Sequence, residues 1–132
     1  INSLDDLKTT EGVVAVCKED VPCGTLAHEE LKKHDITLKN ATTEGKVTDV
    51  ATKVSTGNAD AGFIYTTDLA AAKKKGANLG SIELTDVEPN EYPAALSKTG
   101  SSSEAAKKFN EWLKTSDEAK KILSDYGFNT TK

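Results

Sequence analysis

KVTDVATKVSTGNADAGFIYTTD, residues 46–68, changes its periodicity twice. Val47, Val50, Ala51 and Val54 recur at i, i+3, i+4 and i+7, the apolar stripe of a helix lying on a core. Gly57-Asn58 stops that helix, and Ala61-Gly62-Phe63-Ile64-Tyr65 is an apolar run of strand length. Thr66, Thr67 and Asp68 then offer N-caps for a further helix. The block thus sets a helix start, a strand end and a tyrosine close together, the arrangement from which α/β proteins build small ligand sites.

The same alternation continues outward. Upstream, Val13 to Cys17 is an unbroken apolar strand, which suits a sheet covered on both faces. A turn-rich loop, Lys18-Glu19-Asp20-Val21-Pro22-Cys23-Gly24-Thr25, leads into a helix expected over 25–34, with Leu26, Ala27 and Leu31 inward. Residues 36–39 alternate as a short strand, and 42–45 read as a polar connection. Ser3 and Asp6 stand at capping-box spacing at a short helical turn. Downstream, an Ala-rich helix over 69–75 ends at Gly76, with lysines in its last turn where they suit the helix dipole. Residues 79–84 read as a strand, 86–91 as an acidic crossing and 92–96 as another strand. The expectation is an α/β fold with a mainly parallel sheet flanked by helices.

The C-terminal third differs in kind. Ser101 with Glu104, and Thr115 with Glu118, repeat the capping-box pattern and open two helices, the second ending at Gly127. Phe109, Trp112, Ile122 and Phe128 lie here and call for a large packing partner. The polar run 99–103 reads as a hinge or linker.

Composition narrows the function. The chain has 132 residues, 36% hydrophobic and 29% charged, enough for one domain with a real core. No apolar run approaches the roughly 18 residues of a membrane span. The abrupt start at Ile1-Asn2-Ser3 reads as a mature or excised terminus. A net charge of -4 argues against a nucleic-acid partner. All 17 basic residues are lysines, which excludes a bidentate guanidinium clamp on any oxyanion. Cys17 and Cys23 are open to two readings, a pair of small buried thiols or a short-loop disulfide. The disulfide is preferred, and it implies an oxidising, extracytoplasmic location. A zinc site is disfavoured, since the only histidines, His28 and His34, lie on a predicted helix or its end.

Three turns carry candidate chemistry. The first is Val21-Pro22-Cys23-Gly24, between a strand and a helix, where free N–H groups point outward. The second is the helix start at Lys46-Val47-Thr48, and the third is the strand end at Tyr65, whose hydroxyl is a neutral donor. Neutral donors converging on one point suit a fully ionised tetrahedral oxyanion, because no proton on the ligand demands an acceptor. Catalysis is not indicated. There is no nucleophile elbow, no phosphate loop and no dinucleotide fingerprint, and neither histidine is paired with a nucleophile, so a small hydrolase is disfavoured and the chain is read as not an enzyme. Glu29-Glu30, Asp5-Asp6 and Lys73-Lys74-Lys75 read as solvated faces.

These pieces, in their order, resemble a known family. Val13-x-x-Val16-Cys17, Val21-Pro22-Cys23-Gly24, Gly57-x-Ala59-Asp60-Ala61-Gly62-x-x-Tyr65-x-Thr67-Asp68, Tyr92-Pro93-Ala94 and Tyr126-Gly127-Phe128 look like the molybdate-binding proteins of molybdate ABC importers. The paired cysteines resemble the actinobacterial variant, where the common form has alanine at the Cys23 position. The resemblance implies one lobe of a type II periplasmic-binding-protein fold, with no cofactor and with molybdate or tungstate as ligand. It implies oxyanion donation from the Cys23 N–H, the Val47 N–H and the Tyr65 hydroxyl, and a membrane ABC permease as partner. Members of the family are roughly twice as long, with two serine donors from an upstream first lobe. Residues 1–91 then correspond to the second lobe, and 92–132 to a crossing strand and helices that return to the first. The apolar residues of those helices are expected to pack on the second lobe or on a second copy of the chain, as a homodimer. Two alternatives stand beside this reading: a binder of sulfate or another oxyanion, and the effector domain of a transcription regulator, which shares the fold but works in the cytosol.

Overall fold

A computed structural model describes residues 1–130. The chain forms two compact units, Ile1–Val87 and Glu88–Lys132.

In the first unit, strand β1 (Val14–Cys17) is buried along its whole length, as an unbroken apolar tetrapeptide requires. It lies between two parallel neighbours, β2 (Ala41–Glu44) and β3 (Ala61–Gly62), so the order is β2-β1-β3. The register pairs Val14 with both Ala41 and Ala61, and Cys17 with Glu44. Side chains alternate across a strand, and β1 accordingly feeds two cores. Val14 and Val16 pack with Leu7, Leu31 and Ile36 under helix α1 (Pro22–Lys33). Ala15 and Cys17 pack with Val50 and Ala59 under helix α2 (Val47–Ser55), joined by Val47, Val54 and Ile64. Helix α3 (Thr66–Lys74) follows β3 and contacts α2. Each strand is followed by its own helix, and the two faces are covered by different helices, which is a doubly wound parallel sheet.

The helix stripe of 46–68 is therefore as expected: Val50 is fully buried and Gly57 stops α2 at φ 74°. Gly62 lets α2 approach, since a Cβ there would sit 2.7 Å from Val50 Cγ1. The strand expected over 61–65 is shorter, laddered only at Ala61–Gly62. Phe63 and Ile64 nevertheless continue its alternation, one packing into each core. Thr66, Thr67 and Asp68 are the first helical residues of α3 and Tyr65 is its N-cap.

Other expectations need correction. Residues 36–39 are not a strand. Helix α1 ends in a Schellman motif, with Asp35 N–H bonded to Lys32 O (3.1 Å) and Ile36 N–H to Leu31 O (2.8 Å), so Ile36 is the apolar residue that closes the helix onto Leu31. The strand lies instead at 41–44, read above as a connection, because the exposed N–H and C=O groups of β1 pair with that polar segment. Helix α1 also begins at Pro22, three residues before Thr25; proline suits N1, where an N–H has no intrahelical acceptor. Residues 79–84 and 92–96 form no ladder, since extended chain becomes a strand only where a neighbour exchanges hydrogen bonds with it.

In the second unit, helices α4 (Glu104–Thr115) and α5 (Asp117–Asp125) pack on each other. Their caps are Ser103, accepting from Ala106 N–H (3.3 Å), and Ser116, accepting from Ala119 N–H (3.4 Å), not Ser101 and Thr115. Those two hydroxyls are already engaged, Ser101 Oγ donating to Lys98 O and Thr115 Oγ1 to Glu111 O. Residues 99–103 are no loose hinge: Gly100–Ser102 is a 3-10 turn tied by Ser101 N–H to Ser97 O at 2.8 Å. Gly127 closes α5 at φ 85°. Tyr92 meets Phe128 edge-on at 5.3 Å, and Phe109 stacks on Trp112 at 5.8 Å. Phe109 remains 61% exposed and Ile122 45% exposed, so the large apolar partner expected for them is not found among the described residues.

Candidate functional site

In a parallel sheet every strand ends on the same edge, and the three helices of the first unit start there. β1 leads to α1, β2 to α2 and β3 to α3. The chain passes from β1 to β2 on one side, then crosses to β3 on the other, so the loops after β1 and β3 diverge. That is the topological switch point at which open α/β sheets hold ligands. Cys23, Val47 and Tyr65 occupy the first turn of α1, the first residue of α2 and the N-cap of α3. The structure thus brings the three candidate residues to one edge of one sheet.

The donors at that edge can be enumerated. In α1, Val21 N–H is bonded to Lys18 O (3.2 Å), Pro22 has no N–H, and Gly24 and Thr25 N–H both reach Val21 O (2.8 and 2.9 Å). Cys23 N–H alone in that turn has no acceptor among the described residues. In α2, Asp49 and Val50 N–H turn back to Lys46 O, while Val47 and Thr48 N–H have no acceptor among the described residues. Thr48, part of the helix start at Lys46-Val47-Thr48 singled out from the sequence, is a further donor beside Val47. Three helix N-termini also bring partial positive charge to the edge.

The loop before α1 is tied from several sides. Cys17 and Cys23 form a disulfide, which settles the alternative left open by the sequence. Lys18 N–H is bonded to Glu44 O at the end of β2 (2.8 Å), and Thr25 Oγ1 donates to Glu19 O (2.9 Å). Gly24 is required by close approach: a Cβ there would fall on the Lys18 carbonyl and 3.0 Å from Cys17 O.

Two carboxylates flank the edge with opposite electrostatics. Lys53 Nζ lies 2.5 Å from Glu44 Oε1 and, with Thr42, holds the Glu44 carboxyl below its ordinary value. Asp68 is pushed above its ordinary value by desolvation, although its carboxylate accepts the backbone N–H of Tyr65. Glu30, read as solvated, is buried and sits 3.5 Å from Lys33 Nζ and 3.6 Å from His34 Nε2. No group of His, Cys, Asp and Glu among the described residues suits a metal ion. An open groove of about 720 Å³ between α1 and β2, lined by His28, Leu31, Lys32 and Thr43, contains none of the three candidate donors.

A doubly wound sheet whose switch-point edge carries N–H groups without an acceptor among the described residues has the geometry used by α/β ligand-binding proteins. The chain belongs to the bacterial extracellular solute-binding protein family, whose model matches residues 1–129. This is a family of binding proteins and not of enzymes. The chain is 35% identical to YvgL of Bacillus subtilis, a lipoprotein named for ABC-transporter substrate binding, over 97% of this chain and 50% of YvgL. It is 34% identical to the molybdate-binding protein ModA of Mycobacterium bovis and of Mycobacterium tuberculosis, over 97% of this chain and 48% of each relative. The chain therefore spans about half the length of these relatives. No solved structure matches it significantly.

Proposed function

We propose that these residues form one wall of the ligand cleft of an extracytoplasmic solute-binding protein that captures molybdate or tungstate and delivers it to an ABC permease. The observation that carries the reading is the gathering of Cys23 N–H, Val47 N–H and Tyr65 on the carboxyl edge of the sheet. The name of the ModA relatives supports molybdate as the ligand. Neutral donors gathered at one edge suit a dianion without protons. Phosphate near neutral pH carries protons that require acceptors, and is disfavoured. Thr48 N–H adds a fourth neutral donor to the same wall. The Cys17–Cys23 disulfide supports an oxidising compartment over the cytosolic effector-domain reading.

Sulfate is the competing ligand, since the name of YvgL specifies no ligand. Calorimetric titration of the intact protein with molybdate, tungstate, sulfate and phosphate separates these. The expected result is tight binding of molybdate and tungstate and none of phosphate. A comparable response to phosphate overturns the neutral-donor reading, and a preference for sulfate replaces the ligand.

A further inference from the structure

We infer that the Cys17–Cys23 disulfide is a positioning device for the oxyanion donor at Cys23, so that ligand affinity depends on the oxidation state of this pair. The inference rests on the proposed oxyanion site. Cys23 combines two roles in one residue: its sulfur is bonded to Cys17, and its N–H is the one donor in the first turn of α1 without an acceptor among the described residues. Cys17 is fully buried at the carboxyl end of the central strand, within the core that holds Val50 and Ala59. The bond therefore ties the donor's own residue to the fully buried central strand of the unit, across a sequence separation of six.

A purely stabilising role accounts less well for this placement. Closing so short a ring removes little entropy from the unfolded chain compared with a long one. Its ordering effect is local, and falls on the loop that Lys18 N–H anchors to Glu44 O and Thr25 Oγ1 anchors to Glu19 O. The Lys18 carbonyl occupies the space where a side chain on residue 24 would begin, so the loop lies directly against the first turn of α1. Without the bond, Cys23 keeps its N–H but loses its covalent tie to β1. The loop is then free to drift off the turn, and the donor direction with it. A hydrogen bond to an ionised acceptor depends strongly on that direction. Reduction by a dithiol passes two electrons and two protons to the pair, giving two thiols and the oxidised dithiol. Cys23 is the less buried residue of the pair.

The test compares the intact oxidised protein, the same protein reduced with a dithiol, and Cys17→Ala. Molybdate affinity is measured by calorimetry well below each melting temperature, and amide hydrogen exchange over residues 18–25 is followed with residues 47–55 as control. Reduction and Cys17→Ala are each expected to weaken binding by about tenfold or more, the factor that corresponds to one hydrogen bond to a charged group. Exchange at the hydrogen-bonded amides of the loop and turn, Lys18, Val21, Gly24 and Thr25, should accelerate while residues 47–55 stay unchanged. A lowered melting temperature with unchanged affinity overturns the positioning role and leaves the oxyanion reading standing. Failure of the oxidised protein to bind any tetrahedral oxyanion overturns the oxyanion reading, and this inference with it. If Cys17→Ala does not fold, the reduced natural protein supplies the same comparison.

Discussion

Gly24→Ala sets two known effects against each other in one residue. Alanine is the better helix former by about 1 kcal/mol, and Gly24 is a helical residue in the first turn of α1. Against that, the added Cβ lands on the Lys18 carbonyl and 3.0 Å from Cys17 O. Overpacking by one methyl costs roughly 1–3 kcal/mol where neighbours give way. Here the obstacle is main chain, held by the disulfide, by Lys18 N–H to Glu44 O and by Thr25 Oγ1 to Glu19 O. The upper end of that range applies, and after the propensity gain the net loss is about 2 kcal/mol. For a unit of this size that is a fall of about 8–16 °C in melting temperature. Urea denaturation followed by far-UV circular dichroism measures it directly. A variant as stable as the parent, or more stable, refutes the reasoning, because it shows the loop moving aside at little cost.

The remaining predictions concern the ligand, a helix end and pH. Tyr65→Phe in the intact protein should cost on the order of 1–3 kcal/mol of oxyanion affinity by calorimetry, and an unchanged affinity removes Tyr65 from the site. Asp35, at φ 52°, closes α1 where glycine is normally found. Asp35→Gly is expected to stabilise by up to about 1 kcal/mol in the same denaturation assay, relief of left-handed strain exceeding the added freedom of the unfolded chain. Glu44 has its pKa lowered by Lys53 and Thr42, so its contribution is present above the unfolded carboxylate pKa and lost as pH falls through the folded one. Lys53→Met should flatten that acid limb of the stability profile. Asp68, raised by desolvation, has the opposite sign: it favours the fold at low pH and loses that advantage as pH rises through its folded value. Asp68→Asn should therefore gain stability relative to the natural protein as pH rises, measured by melting temperature between pH 3 and 8 (roughly the carboxylate range and above).

Much of the first unit is legible because burial and composition agree there. An apolar run such as Val14–Cys17 has no other place than a covered strand, and the Val47–Val54 stripe none other than a helix on a sheet. Legibility ends where a residue's state is set by its neighbour. Ala41–Glu44 carries no strand signature; it is a strand because β1 presents unpaired backbone groups beside it. Ile36 and Leu38 alternate for a different reason, as apolar cover for the end of α1. The caps fall at Ser103 and Ser116, two residues and one residue from the expected Ser101 and Thr115, because runs of Ser and Thr offer several equivalent oxygens. Which oxygen is left over depends on which ones already bond elsewhere. The apolar pattern places Cys23 in a loop, whereas it is helical, since Pro22 starts α1 earlier than that pattern does. That shift makes it possible to say which N–H of the turn is unsatisfied.

The donor inventory also limits what this wall does alone in the proposed reading. With no arginine in the chain, the ligand's charge must be met by directed hydrogen bonds and helix dipoles. Three bonds to an ionised acceptor contribute roughly 5–9 kcal/mol, and each helix terminus roughly 0.3–1 kcal/mol more. Loss of translational and rotational freedom on binding costs at least about 4 kcal/mol. At that lowest cost the remainder runs from about 1 to about 8 kcal/mol, from weaker than the roughly 4 kcal/mol of a millimolar complex up to the roughly 8 kcal/mol of a micromolar one. Capture tighter than micromolar therefore requires donors beyond these three, Thr48 N–H in the same wall and those of a facing wall. These residues contribute a preorganised edge, because its backbone donors are fixed by elements of the first unit before any ligand arrives. The energetic consequence is specific: strengthening the facing wall raises affinity, whereas loosening Cys23 or Val47 lowers affinity and selectivity together, since a misdirected N–H no longer discriminates an unprotonated oxygen from a protonated one.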